Sequence, residues 1–403
     1  MRVLYFHQHF VTPRGNGGIR SYQMARRLIA RGHQVTMVCG SIAGGDTGLK
    51  GPFDRGVRRG DVEGIEVVEF ALPYSNRLGF LRRIALFLSF TLRSLRLLFT
   101  ERYDICFSTT TPLTVGIVAV GARLLTSKQV VFEVRDLWPE LPRAMGVITN
   151  PVILAAMSGL EWASYHAGHR LIGLSPGIVA GIIDRGIPAD RVTMIPNGCD
   201  VDIFSRTVDP WRPPGIPESD LMAVFAGTHG RANGLANMIE AASVLKKLGQ
   251  REIHLVLVGD GSEKPRLIEA ARERSLDNVH FVSPVSKERL AGLFSAADLG
   301  LQILADVPAF YFGTSPNKFF DYLAAGLPVL TNYPGWIADL VAKHRCGFVV
   351  PPGDPAAFAQ ALRLALSDRA ALPQMGRRAR ALATTEFERK ALADRWVDWV
   401  TGQ

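Results

Sequence analysis

The feature that most constrains this chain is a series of short, continuous apolar runs that occurs twice, each run followed by a segment with helical periodicity. In the first half the runs fall at residues 2–6, 34–39, 62–70, 104–108, 129–134, 170–174 and 192–195. Most lack the alternation of a half-exposed strand, as expected of parallel strands covered by helices on both faces. Segments such as 19–30, closed by Gly32 at a helix C-terminal position, supply the helices. A second series falls at 221–226, 253–258, 279–282, 299–304, 328–331 and 347–350, with helical patterns such as 235–248 and 356–366 between the runs. Two such series predict an α/β protein with two Rossmann-like, doubly wound domains. Ligands of doubly wound sheets sit beyond the strand C-termini, so the expected site is a cleft between two facing sheets.

The length of 403 residues suits two domains. The stretch Asp209-Pro210-Trp211-Arg212-Pro213-Pro214-Gly215 reads as a linker, which places the domains at 1–205 and 206–385. Hydrophobic residues make up 47% of the chain and charged residues 21%, a balance that excludes a disordered protein. The cysteines Cys39, Cys106, Cys199 and Cys346 are scattered, with no CxxC pair and no histidine cluster beside them. They read as reduced, structural thiols of a cytosolic protein, and no metal site is expected. No targeting signal is expected at the N-terminus, and no apolar run approaches the ~20 residues of a membrane span.

The formal charge is +9, and it is uneven. Residues 1–205 hold 23 Lys/Arg against 16 Asp/Glu, whereas the remainder holds 23 against 21. A basic first half suits an anionic partner, whether nucleic acid, a membrane surface or a phosphorylated substrate; arginine-rich surface composition is the plainer reading. Residues 70–100 contain no acid but carry Arg77, Arg82, Arg83, Arg93 and Arg96. On a helix, Arg82, Ser89, Arg93 and Arg96 share one narrow face, and Leu81, Ile84, Phe87, Leu88, Leu92, Leu95 and Phe99 occupy much of the rest. A basic strip beside a broad apolar face fits a helix lying in a membrane interface; a sheet-covering helix with a solvated arginine face fits as well.

Several turns have the chemistry of a phosphate site. Pro13-Arg14-Gly15-Asn16-Gly17-Gly18 follows the first strand and opens a helix, where glycines allow close backbone approach. Val258-Gly259-Asp260-Gly261-Ser262 is a second strand-to-helix turn of small residues. Pro196-Asn197-Gly198-Cys199-Asp200 reads as a turn, and Asp200-Val201-Asp202 is not read as a metal-binding DxD. The most informative block runs from Gly313-Thr314-Ser315-Pro316-Asn317-Lys318 through Asp321 to Ala325-Gly326-Leu327-Pro328. Ser315 as N-cap with Pro316 at the first helical position would aim the N–H groups around Pro316, Asn317 and Lys318 at an anion. Lys318 adds a cation, and Asp321 one turn on can accept hydrogen bonds from a vicinal diol such as ribose. An ordinary capped helix with a surface Lys/Asp pair is the plainer alternative.

Taken in order, these blocks resemble glycosyltransferase family 4, the retaining enzymes of GT-B fold. The resemblance spans nearly the whole chain, from Gly17-Gly18 and Gly32-His33-Gln34-Val35 through Glu133-Val134-Arg135-Asp136-Leu137-Trp138-Pro139, Leu174-Ser175 and Pro196–Asp200, to Phe225-Ala226-Gly227-Thr228-His229-Gly230, Gly259-Asp260-Gly261 and Asp321. It departs from the family pattern in several places. Asp321 fills the second of the paired glutamates, expected to hold ribose, and Gly313 falls on the first. The arginine and lysine that clamp the donor diphosphate fall on Thr228 and Asn233, and the N-domain histidine falls on Arg135. Lys318, helped by Arg231, is expected to take over part of the diphosphate role.

The resemblance implies a UDP-sugar donor, no metal or cofactor, and front-face transfer in which the donor β-phosphate accepts the acceptor proton. Donor contacts are expected at Gly17, Gly18, Thr228, Arg231, Gly259, Val285 (beside Pro284), Ser315, Pro316, Asn317, Lys318 and Asp321, with Asp136 orienting an acceptor hydroxyl. The variant is similar to a subgroup that transfers N-acetyl-L-fucosamine or related amino sugars in O-antigen, capsule or exopolysaccharide synthesis. Its acceptor is expected to be a lipid-linked diphosphate sugar, reached by docking residues 78–99 on the anionic inner face of the plasma membrane. The last helix, within 386–403, is expected to cross back onto the N-terminal domain. Two other readings compete: a nucleotide-sugar epimerase of the same fold, which has no need of a lipid-facing helix, and a nucleic-acid-binding protein, for which the sequence lacks an aromatic-basic groove.

Overall fold

The computed structural model describes residues 1–403 other than 16, 76, 77 and 205–207, so Asn16 of the glycine turn and Arg77 of the basic segment lie outside the described residues. The chain divides into two compact units. The first comprises Met1–Pro196, Gly313–Ser315 and Lys390–Gln403; the second comprises Asn197–Phe312 and Pro316–Arg389. The main changeovers are therefore at 196/197 and 389/390, against the 205/206 and 385/386 expected. The stretch 209–215 is not a linker but is bound into the second unit. The Trp211 backbone N–H donates to the Gly292 carbonyl (3.2 Å), its indole N–H to that of Arg289 (2.6 Å), and Arg212 to those of Pro217, Asp220 and Ala296. Prolines cannot donate, but the side chains between them tie the segment down.

The first unit is an eight-stranded sheet, ordered β3-β4-β2-β1-β5-β6-β7-β8. Its strands are β1 (Arg2–Phe6), β2 (Gln34–Ile42), β3 (Val57–Val62), β4 (Ile65–Tyr74), β5 (Ile105–Thr109), β6 (Gln129–Val134), β7 (Arg170–Gly173) and β8 (Val192–Met194). All pairings are parallel except β3 with β4. That hairpin replaces the single strand expected at 62–70. It turns at Glu63 and Gly64, whose φ values of 55° and 88° match the tight turn that suits strand twist. The edge strand β3 contains Arg58, Arg59, Gly60 and Asp61, so no apolar run announced it.

The second unit is a six-stranded parallel sheet, ordered β11-β10-β9-β12-β13-β14. Its strands are β9 (Leu221–Ala226), β10 (Ile253–Val258), β11 (Val279–Val282), β12 (Leu299–Gln302), β13 (Val329–Thr331) and β14 (Gly347–Val349). β9 and β10 are buried at every residue, as expected of strands covered on both faces.

The helix Arg389–Thr401 ends the chain, and from Lys390 on it belongs to the first unit. Trp396 is fully buried there, its ring centroid 4.8 Å from Phe107 and 5.9 Å from Tyr5. All four cysteines are buried and unpaired. Among the described residues no helix is long and apolar enough to cross a membrane.

The helix Phe80–Thr100 shows two apolar faces. Phe90, Leu97 and Leu98 are buried in the core of the first unit. On another side Leu81, Leu88, Leu92 and Phe99 stand in solvent, with Leu81 80% and Leu92 68% exposed. Arg82 and Arg96 are exposed beside them. Arg93 is tied down, donating to the Gly56 carbonyl (3.1 Å) and lying 5.8 Å from the Phe70 ring centre.

Candidate active site

Strand order in the second sheet reverses between β9 and β12, and crossovers that leave on opposite faces open a crevice beyond those strand ends. Tyr322 is seated across the split. Its hydroxyl accepts from the Ala226 N–H at the end of β9 (3.0 Å) and donates to the Leu301 carbonyl in β12 (3.3 Å). Gly300 makes room for the ring: a Cβ there would lie 2.5 Å from it.

Tyr322 belongs to the helix Asn317–Ala325, which begins one residue later than expected. Pro316 is the N-cap, with extended backbone (φ −76°, ψ 124°), and its own side chain makes no capping bond. Ser315 is therefore not the cap, and Pro316 is not the first helical residue. Gly326, at φ 68°, ends the helix in the left-handed conformation that glycine adopts without strain.

Lys318 lies one turn before Tyr322. Its Nζ donates to Asn233 Oδ1 (2.7 Å) and stands 4.5 Å from the Phe225 ring centre. Gly227 leaves space for it, since a Cβ there would lie 3.1 Å from Lys318 Cε. Among the described residues no carboxylate forms an ion pair with this amine, and burial pushes its pKa down to about 7. The Asn233 amide in turn donates to the Thr228 carbonyl (2.8 Å), so Thr228, Asn233 and Lys318 form one linked group. Arg231 is exposed on the short turn Arg231–Asn233. Gly259 closes against the same loop: at φ 144°, its Cβ would lie 1.9 Å from the Gly227 carbonyl oxygen. Val285, half-buried, and Pro284, exposed, follow β11.

Asp321 is buried and takes part in a charged chain that the sequence reading missed. Lys287 Nζ donates to Asp321 Oδ1 (3.3 Å) and to Asp200 Oδ2 (2.6 Å), and Arg389 donates to both Asp200 oxygens and to the Gly198 carbonyl. Burial raises the Asp321 pKa against the pull of Lys287. Burial acts the same way on Asp200, but there Arg389 and Lys287 win and hold the carboxyl below its usual range. Lys287 opens an ordinary helix behind Ser286 and Arg389 lies near the C-terminus, so no local motif marked either.

In the first unit the strand order reverses between β1 and β5. Asp136, just past β6, accepts from the Thr111 hydroxyl (3.2 Å); burial raises its pKa, with Arg135 opposing. Arg135 donates to His7 Nε2 (3.2 Å). Glu133 is structural: Arg20, Thr109 and Trp396 all donate to it. Burial works to raise its pKa, and Arg20 outweighs that and lowers it. Gly17 is exposed and Gly18 half-buried in the loop before the helix Arg20–Ala30. Ser315, Gly17, Gly18 and Asp136 belong to the first unit, and the other expected donor residues to the second.

A lysine and a carboxylate thus stand on one helix at the switch point of this doubly wound unit. Residues 17–198 match the family described as Glycosyl transferase 4-like domain, and residues 211–382 match Glycosyl transferases group 1. The chain belongs to these group 1, family 4 glycosyltransferases. It is 34% identical over 181 residues to the D-inositol 3-phosphate glycosyltransferase of Streptomyces avermitilis, across 41% of this chain and 36% of that enzyme. That enzyme, the putative colanic acid biosynthesis glycosyl transferase WcaI of Escherichia coli and the D-inositol 3-phosphate glycosyltransferase of Corynebacterium urealyticum are matched over 36–43% of their own length. Among solved structures, Anabaena HepE, in complex with UDP and glucose, is similar with a TM-score of 0.69 at 15% identity over 100% of both chains. WaaG, a glycosyltransferase involved in lipopolysaccharide biosynthesis, is similar with a TM-score of 0.70 at 19% identity, again over 100% of both. These likenesses establish the GT-B fold, two Rossmann-like α/β domains.

Proposed function

We propose that the chain transfers a sugar, with retention and without a metal, from a UDP-sugar to a lipid-linked diphosphate acceptor. The observation that carries the donor assignment is the Lys318 amine, half-buried and, among the described residues, without a carboxylate partner at the start of a helix beside the β9/β12 crevice. A helix N-terminus and a half-buried cation both favour an anion there, here the donor diphosphate. Thr228, Arg231, Gly259 and the N–H groups of Asn317 and Lys318 line the same reading, with Ser315 and Pro316 leading into the helix. Asp321 accepts from the ribose diol, and the base lies along Pro284 and Val285.

In transfer, negative charge grows on the departing diphosphate. Lys318 and the helix N–H groups stabilise that charge, and the β-phosphate takes the acceptor proton. Gly17, Gly18 and Asp136 enter by family resemblance, the glycines toward the donor sugar and Asp136 toward an acceptor hydroxyl. Asp200 is committed to Lys287 and Arg389, which supports a structural role for Asp200-Val201-Asp202.

The proposed sugar is an N-acetylated amino sugar such as N-acetyl-L-fucosamine, and the product a precursor of O-antigen, capsule or exopolysaccharide. The exposed leucines and arginines of the helix Phe80–Thr100 support peripheral docking on an anionic membrane. A thermal-shift screen of UDP, GDP, ADP and UDP-sugars tests the donor assignment. Selective stabilisation by the uridine compounds is expected, and none by UDP would sink it.

A further inference from the structure

The strand ends of the first unit gather a second set of positive groups that the donor assignment leaves unused. Arg135, just past β6, is half-buried; its backbone N–H donates to Thr110 Oγ1 (2.8 Å), and its guanidinium bonds His7. Arg83, on the first turn of the helix Phe80–Thr100, has its Nε buried and, among the described residues, without a partner. Among the described residues neither guanidinium has a carboxylate within ion-pair distance. Asp136, the nearest acid in sequence, is bonded to Thr111.

His9 connects the two arginines. Its ring centre lies 4.6 Å from that of Tyr74 and 6.2 Å from that of Phe87, one helical turn beyond Arg83. Burial, with Arg135 and Arg83 adding to it, pulls its pKa down to about 4, so the ring is neutral and the guanidinium charges are not shared with an imidazolium.

His7 adds a donor. A guanidinium can only donate, so His7 Nε2 is the acceptor of the Arg135 bond. Burial and then Arg135 hold the imidazole neutral, which leaves the proton on Nδ1, a buried atom with no partner among the described residues. The side chain of Gln8, next in sequence, is 1% exposed, and among the described residues neither its oxygen nor its nitrogen has a partner. Buried donors and cations left without acceptors are unfavourable, and an anion bound among them relieves several at once. Arginine is the side chain whose planar fork best matches phosphate oxygens.

We infer that Arg83 and Arg135, with His7 bonded to Arg135, form a phosphate subsite in the first unit that holds the diphosphate of the acceptor. The inference rests on the transferase reading above and specifies which acceptor charge is recognised. Arg83 sits on the helix whose leucines are exposed for docking, so one element would meet the bilayer and the diphosphate at its surface.

The test uses the full chain and inorganic pyrophosphate, titrated calorimetrically with saturating UDP present to occupy the donor site. Wild type is expected to bind pyrophosphate. Arg83→Ala and Arg135→Ala should each weaken it about ten-fold or more, with partial recovery in the lysine variants and UDP affinity unchanged. A second arm separates phosphate sources: pyrophosphate should displace the protein from neutral vesicles carrying a polyprenyl diphosphate, but not from phosphatidylglycerol vesicles at the same salt.

Failure of UDP itself to bind would count against the donor assignment alone. The pyrophosphate titration would then be run on Lys318→Ala protein without UDP. The inference is overturned if UDP-loaded wild type takes up no pyrophosphate, or if folded arginine variants, checked by thermal melts, bind it like wild type. Equal displacement from both vesicle types would also overturn it, since any anionic surface would then serve.

Discussion

The Nζ of Lys318 lies 2.7 Å from Oδ1 of Asn233, the position at which the family resemblance expects a lysine. The cation missing from the loop after β9 is thus delivered to the same place from the helix Asn317–Ala325. Its partner in the free protein is a neutral amide, so a diphosphate can supply the missing counter-charge.

Lys318 predicts a proton linkage. With a free-state pKa of about 7, the amine is mostly neutral at pH 8, and a bound diphosphate favours its charged form. UDP binding at pH 8 should take up a fraction of a proton, and uptake should fade toward pH 6, where the free amine is already charged. Calorimetry in buffers of different ionisation enthalpy measures this. Lys318→Met should abolish the uptake, and Lys318→Ala should lower kcat more than it raises the UDP Kd, because diphosphate charge grows toward the transition state.

Asp321→Ala should weaken UDP by about 1.5–3 kcal/mol, the range for a hydrogen bond to a charged group. Titration calorimetry reads the loss directly, and a wild-type Kd would remove Asp321 from the site.

Lys287 is the only cation that bonds Asp321 among the described residues, and it also bonds Asp200. Lys287→Met should lower the melting temperature at pH 7, since Asp321 then keeps its charge without a partner. Removing the lysine takes away the pull that opposes burial and so raises the folded-state Asp321 pKa further above its unfolded value. The penalty is therefore full at neutral pH and shrinks as pH falls and the carboxylates protonate. Melting curves of wild type and variant between pH 7 and 5 should converge; a gap that widens toward acid would contradict the pairing.

Gly300→Ala should disturb the site from behind. The new methyl would stand 2.5 Å from the Tyr322 ring and push the helix carrying Asp321 and Lys318 off the β9/β12 split. A stability loss of about 1–3 kcal/mol is expected, in the range of an overpacked core, together with weaker UDP binding. Denaturant melts and UDP titrations check both.

Docking should depend on charge and on the exposed leucines. The protein is expected to co-sediment with anionic vesicles at low salt and to be released at high salt. Arg82→Glu with Arg96→Glu, or Leu88→Asp with Leu92→Asp, should abolish the binding while UDP affinity stays intact. Arg93 is the wrong residue to replace, because its bond to the Gly56 carbonyl makes it structural. Indifference to anionic vesicles at low ionic strength would refute the docking proposal and leave a soluble acceptor.

Much of the architecture was legible because burial on both faces leaves a local mark. Strands such as 221–226 and 253–258 are continuous apolar runs, and they fold where the runs are. The hairpin strand β3 left no such mark, since an edge strand with one face in solvent tolerates Arg58, Arg59 and Asp61. The reading of 209–215 as a linker failed for a related reason. Proline content reports what the backbone cannot bond, not what neighbouring side chains anchor. The pairing of Lys318 and Asp321 on one helix was legible because helix periodicity puts them about one turn apart, a short-range relation the chain displays directly.

By itself the sequence determined the two α/β sheets, the turns that follow their strands, and the helix that presents Lys318 and Asp321. Only the tertiary structure decided their electrostatic state. Asp200 and Arg389 are 189 residues apart, Lys318 and Asn233 are 85, and Lys287 and Asp321 are 34. Such pairs meet only once the parallel strands have aligned in register and brought their C-terminal loops to one end of the sheet. A side chain's charge is then set by the burial and partners it finds there, neither of which local sequence encodes.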